Sequence, residues 1–210
     1  MEVWLFTLSA SKEGGFPNQD NFTHSANQMS YPPISIERHP RTGFLLTAEL
    51  LIDRPIAEVF NFFSSAENLE KITPPWLHFN IVTPTPIKME EEALIDYRLK
   101  LHGLPIKWRT EIESWQPPYR FVDQQLRGPY KKWHHEHTFE SLGPNRTMAK
   151  DRVHYIPRFG ELVHKFFVKP DLEKIFGYRQ EQLANHFKNV AAPILQVQPG
   201  AATQMTAGTA

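Results

Sequence analysis

Between Leu77 and Ile156 the chain runs through six segments in which apolar and polar residues alternate, and from Asp171 the period changes to that of a helix. The segments are "LHFNIV", "ALIDYRLKL", "IKWRTEIESW", "YRFVDQQL", "KKWHHEHTFES" and "RTMAKDRVHYI", with turn signals at "QPP" (116–118), "GP" (128–129) and "GPN" (143–145). In the second, Ala93, Ile95, Tyr97 and Leu99 alternate with Asp96, Arg98 and Lys100. Strands with one apolar and one charged face build an antiparallel sheet that is wet on one side. The dry side needs a cover. Leu172, Ile175, Phe176, Leu183, Phe187 and Val190 supply it as one helical stripe, with Pro170 opening that helix or kinking it.

Ahead of the six runs, "FLLTAELLI" (44–52) reads as a strand and "DRPIAEVFNFFSS" as a helix. Asp53 is positioned to cap that helix, Pro55 suits its first turn, and Ile56, Val59, Phe60 and Phe63 recur at helical spacing. A second short helix carries Leu69 and Ile72 and stops at "TPPW" (73–76). The fold class is therefore α+β: a curved antiparallel sheet of about seven strands wrapped on a long C-terminal helix, with two short helices after the first strand.

Residues 39–190 read as one domain. Residues 1–38 read as a disordered or non-native extension, with Met29 as an alternative start, and 191–210 as a disordered tail. Lysine plus arginine equals aspartate plus glutamate at 23 each, so charge gives no support to a nucleic-acid or anionic-membrane partner. The chain has no cysteine, which excludes disulfides and thiolate metal sites. "MEVWLFTLSA" is a poor secretion signal and no membrane-spanning run is visible, so the cytoplasm is the expected location. The pattern says nothing of oligomeric state.

The stretch "KKWHHEHTFE" (131–140) holds three of the ten histidines within four residues. Strand period splits them. Trp133, His135, His137 and Phe139 share the apolar, inward face; His134 and Glu136 share the wet one. If "GPN" is a three-residue hairpin loop, Leu142 pairs with Arg146, which sets His137 opposite Asp151, His135 opposite Val153 and Trp133 opposite Tyr155. A two- or four-residue loop would turn Asp151 outward. Arg179 falls on the apolar stripe of the long helix and needs a buried acceptor. Asp151 or Asp123 can supply it, although the uncertain length of the turn in "RGPY" leaves the facing of Asp123 open.

Certain segments carry a resemblance. "PIAEVFNFFSSAENLEKITPPWL", "FVDQQLRGPYKKWHHEHTFE", "KDRVHYIPRFG" and "IFGYRQEQL" resemble the helix-grip proteins, the START, Bet v 1 and polyketide cyclase/dehydrase-like (SRPBCC) superfamily, in a bacterial ligand-binding branch. The resemblance covers about Gly43 to Phe187, and Trp133-x-His135-x-His137-x-Phe139 after Gly128-Pro129 is its most specific part. It implies a cavity between sheet and long helix for a hydrophobic small molecule. It does not imply a reaction.

Three readings of the inward residues follow. In the first, Trp108, Trp133, His135, His137, Phe139, Asp151, Tyr155 and Arg179 line a pocket for an apolar or aromatic, lipid- or polyketide-like molecule. In the second, His137, Asp151 and Tyr155 are catalytic residues of an aromatase/cyclase- or dehydratase-like enzyme. In the third, the polar groups only satisfy one another in a filled core, and the chain is a protein-interaction module. No cofactor and no metal is assigned. A cupin-like count from Gly128 lands on His134 and Glu136, the outward pair, and a zinc site would need a third inward ligand, for which only Asp151 offers itself.

Overall fold

The computed structural model describes residues 32–189; the expectations for residues 1–31, for Val190 and for 191–210 lie outside the described residues. The strands are β1 (Ser35–Arg38), β2 (Phe44–Ile52), β3 (Asn80–Ile81), β4 (Leu94–Leu101), β5 (Leu104–Gln116), β6 (Arg120–Arg127), β7 (Tyr130–Gly143) and β8 (Arg146–Pro157). The helices are α1 (Ile56–Phe63), α2 (Ala66–Lys71), α3 (Gly160–Val163) and α4 (Lys169–Asn189). The strands form one antiparallel sheet in the order β1-β2-β8-β7-β6-β5-β4-β3. This is the helix-grip arrangement.

The sheet has eight strands rather than about seven, because Ser35–Arg38 pairs with Phe44–Thr47 of β2. That strand falls inside the segment read as an extension. Its four residues are too few to display an alternation, and β2 supplies the pairing edge. Gln180 of α4 fastens the same corner: its Nε2 donates to the carbonyls of Glu49 at 3.0 Å and Pro32 at 3.3 Å.

Helix α4 covers the sheet with the expected stripe. Leu172 and Phe176 pack with Leu46, Trp133 and Val153; Leu183 and Phe187 pack with Leu50, Ile52 and Phe60. Each such buried side chain contributes about 1.5–3 kcal/mol. Pro170 is the second residue of α4, but the helical path does not begin there, so its missing N–H removes one hydrogen bond of the ladder. Before it, α3 and a wide π turn (His164–Val168) continue the helical path. Leu162, Phe166 and Phe167 there are exposed.

Asp53 does not cap α1. Pro55 occupies the cap position, and Asp53 Oδ1 instead accepts from Arg146 Nε at 2.9 Å. The β7–β8 hairpin also differs in detail. Gly143 pairs with Arg146, leaving a two-residue turn, and a bulge between Ser141 and Gly143 takes up Leu142. Shortening the loop by one and adding one bulged residue cancel, so the expected register survives: His137 faces Asp151, His135 faces Val153 and Trp133 faces Tyr155.

Candidate ligand-binding site

The concave face of the sheet and α4 do not close on each other. Between them lies a cavity of about 210 Å³, with Phe63, Leu69 and Ile72 from the short helices closing one side. Most of its wall is apolar. Trp108 and Trp133 stand edge to face with ring centroids 5.5 Å apart, and Trp108 Nε1 donates to Thr110 Oγ1 at 3.0 Å, so its polar atom is satisfied within the wall. The interior is thus not filled by side chains.

One charged cluster interrupts this wall. His135, His137, Asp123 and Arg179 line the cavity, and Asp151 lies behind the two imidazoles. Asp123 comes inward because β6 and β7 pair with Phe121 opposite His137 and Asp123 opposite His135, and cross-strand partners share a face. The turn left the register open because a side chain shapes it. Gln125 Nε2 donates to the Tyr130 carbonyl at 2.9 Å, and the Tyr130 N–H donates to Gln125 Oε1 at 3.3 Å. The available signal was Phe121, an apolar residue of the same parity as Asp123.

Each imidazole is held between the two carboxylates. His137 Nε2 lies 3.0 Å from Asp123 Oδ2, and its Nδ1 lies 2.6 Å from Asp151 Oδ1. His135 Nδ1 lies 3.5 Å from Asp123 Oδ2, and its Nε2 lies 3.2 Å from Asp151 Oδ1. Arg179 Nε stands 3.7 Å from Asp151 Oδ2, with its guanidinium 5.6 Å from the centre of the Phe63 ring. Phe121 stacks on His137 with centroids 4.1 Å apart. Both histidines are buried, at 5% and 3% exposure.

Burial opposes charge on every member, and the neighbours decide the outcome. Burial raises Asp151, yet Arg179 and then His137 outweigh it and hold the carboxyl well below the usual range. Burial raises Asp123 too, and His135 and His137 more than offset it. Burial and the charge on His137 push His135 down. Burial also works against His137, but Asp151 and Asp123 together raise it. These directions favour ionised carboxylates, a protonated His137 and a neutral His135 beside the Arg179 guanidinium. The geometry of that state is imperfect: His135 Nε2, His137 Nδ1, Asp151 Oδ1 and Arg179 Nε are all buried without an aligned hydrogen bond.

Two expected wall residues stand elsewhere. Phe139 belongs to the core, beside Phe60, Phe63 and Phe121. Tyr155 is fully buried, and its hydroxyl lies 2.8 Å from His164 Nε2. Parity puts both on the inward face, but α1 covers one end of that face and the π turn the other. Asp151 is inward yet screened from the cavity by the histidines.

A curved sheet, a long covering helix and a largely apolar cavity with one polar cluster define a helix-grip protein of the ligand-cavity kind. The model of the family "Polyketide cyclase / dehydrase and lipid transport" matches residues 52–184, more than half of the chain, and the chain belongs to that family. No curated protein matches it. Solved structures are similar in fold at low identity. A protein from Arthrobacter aurescens has a TM-score of 0.57 at 13% identity, covering 80% of this chain and 98% of its own. The Zhui aromatase/cyclase from Streptomyces sp. R1128 has 0.55 at 11%, covering 69% and 93%. Protein Ms6760 from Mycobacterium smegmatis has 0.54 at 14%, covering 74% and 98%. Among the described residues no helix is long and apolar enough to cross a membrane.

Proposed function

We propose that the chain binds a compact apolar or aromatic molecule in the cavity between the sheet and α4, with His135, His137, Asp123 and Arg179 meeting its polar end. The observation that carries this is the cavity itself, about 210 Å³ of mainly apolar wall with one charged cluster. The volume falls below the roughly 300–1,000 Å³ of drug-sized sites, which favours a small ring system or short chain over a long lipid. Native mass spectrometry of protein purified from several hosts, with titration of an apolar fluorescent probe, tests it. A co-purifying small molecule or saturable probe binding is expected. Protein that is ligand-free from every host and takes up no probe would sink the proposal.

A second reading, an aromatase/cyclase- or dehydratase-like enzyme, is supported by one arrangement. His137 lines the cavity with a carboxylate at each ring nitrogen, a setting for moving a proton. Here His137→Ala and Asp151→Asn abolish turnover of any bound polyketide-like compound. Affinity changes with no turnover in the wild type remove this reading and leave the first.

A further inference from the structure

We propose that Asp123, His135 and His137 form a binding site for a divalent first-row transition metal ion, facing the cavity. Asp123, His135 and His137 each offer one ligand atom, and these three atoms lie within 4.8 Å of one another. Asp123 Oδ2 stands 3.0 Å from His137 Nε2 and 3.5 Å from His135 Nδ1. Donors about 2.1 Å from one ion stand about 3.0 Å apart in cis octahedral positions and about 3.4 Å apart in a tetrahedron. The two carboxylate–imidazole separations fall in that range, with strands β6 and β7 in their regular register.

The remaining groups fit the same role. A histidine on a metal needs its other ring nitrogen to be held by an acceptor. Asp151 Oδ1 lies against that second nitrogen on both rings, at 3.2 Å for His135 and 2.6 Å for His137, and Arg179 stands behind it. A ligating imidazole is neutral, so an ion would take the place of the proton between His137 Nε2 and Asp123 Oδ2. With the protons of both second nitrogens turned toward Asp151, the Asp123 oxygen and two ring lone pairs would then point at the ion. Two imidazoles and one carboxylate, without thiolate, select the iron-to-zinc series over magnesium or calcium.

Charge then says what the ion would receive. Two carboxylates, one arginine and a divalent ion leave one positive charge. The open positions face the cavity, so an anionic oxygen on the entering molecule (an enolate, phenolate or carboxylate) would complete both charge and coordination. The donor set stands whether or not the cavity also takes an apolar probe, so either proposal can fail alone.

The test uses tag-free, chelator-stripped full-length protein titrated with Co²⁺ alone, followed by visible absorption and by competition with a chromophoric chelator. One saturable ion per chain is expected, with visible bands of protein-bound cobalt. Asp123→Asn and His135→Gln should each weaken binding by at least about 100-fold, and Asp151→Asn by about 10–100-fold as an orienting group. His154→Gln should leave it unchanged, since His154 stacks with His39 away from the cavity. Circular dichroism reports whether each variant is folded. Absence of saturable cobalt uptake by the folded wild type overturns the proposal. Uptake that persists undiminished in folded Asp123→Asn or His135→Gln overturns it equally.

Discussion

Tyr155 Oη and His164 Nε2 lie 2.8 Å apart in the interior, and the His164 ring stacks on Phe44 with centroids 3.4 Å apart. The pair ties the end of β8 to the π turn that leads into α4. It also explains why Tyr155, although inward, contributes nothing to the cavity wall.

This contact predicts a pH effect. Burial depresses the pKa of His164, the charges on Lys169 and Arg38 add to the depression, and Glu161 opposes it. Its folded-state value therefore lies below the unfolded value of about 6.5. Above that value both states are neutral and the full stability is present. Below it the unfolded chain takes the proton first, so stability is lost as pH falls toward the folded-state pKa, with a slope of at most about 1.4 kcal/mol per pH unit from this group. Denaturation of wild type and His164→Gln across this window should show a shallower fall in the variant. Equal slopes would mean that His164 titrates alike in both states.

Phe139→Leu should cost on the order of 1 kcal/mol of stability and leave probe affinity unchanged, because Phe139 packs among Phe60, Phe63 and Phe121 rather than on the cavity wall. A shift in affinity without loss of stability would return Phe139 to the wall.

The same contrast shows what alternation can and cannot convey. The facing of β7 was readable because Trp133 and Phe139 mark one parity and Lys132 and Glu140 the other. The β8 register was readable because the bulge at Leu142 offsets the shorter turn. Parity names a face, however, and does not say what stands opposite it. It placed Phe139 and Tyr155 inward without showing that α1 and the π turn cover them. Asp123 stayed open because a side-chain amide, not a standard backbone turn, sets the β6–β7 connection. With Asp123 open, the sequence offered only Asp151 as a third inward ligand beside the two histidines.

Gly43→Ala should destabilise the fold by at least about 2 kcal/mol, through an unfavourable positive φ and a steric clash together. Gly43 has φ +74°, and a Cβ there would lie 2.3 Å from the Tyr155 carbonyl oxygen, a backbone atom fixed in the β2–β8 ladder. Gly103 is the control. Its φ is +79°, but a Cβ would meet nothing within 4 Å, so Gly103→Ala should cost only the backbone conformation, about 1–2 kcal/mol. Thermal or urea denaturation should rank Gly43→Ala below Gly103→Ala; the reverse order would mean that the Gly43 corner yields.

Filling the cavity separates ligand binding from folding. Leu99 projects into the cavity from β4, between the inward positions Tyr97 and Leu101. A ring at Leu99 occupies space a ligand would need without removing a buried polar contact. Leu99→Trp should therefore weaken binding of an apolar probe at least about tenfold, equivalent to about 1.4 kcal/mol. The unfolding midpoint should hold or rise, because volume is added where no side chain has to be displaced. Probe affinity equal to that of wild type would place the probe elsewhere, with the exposed Leu162, Phe166 and Phe167 as the next surface to vary.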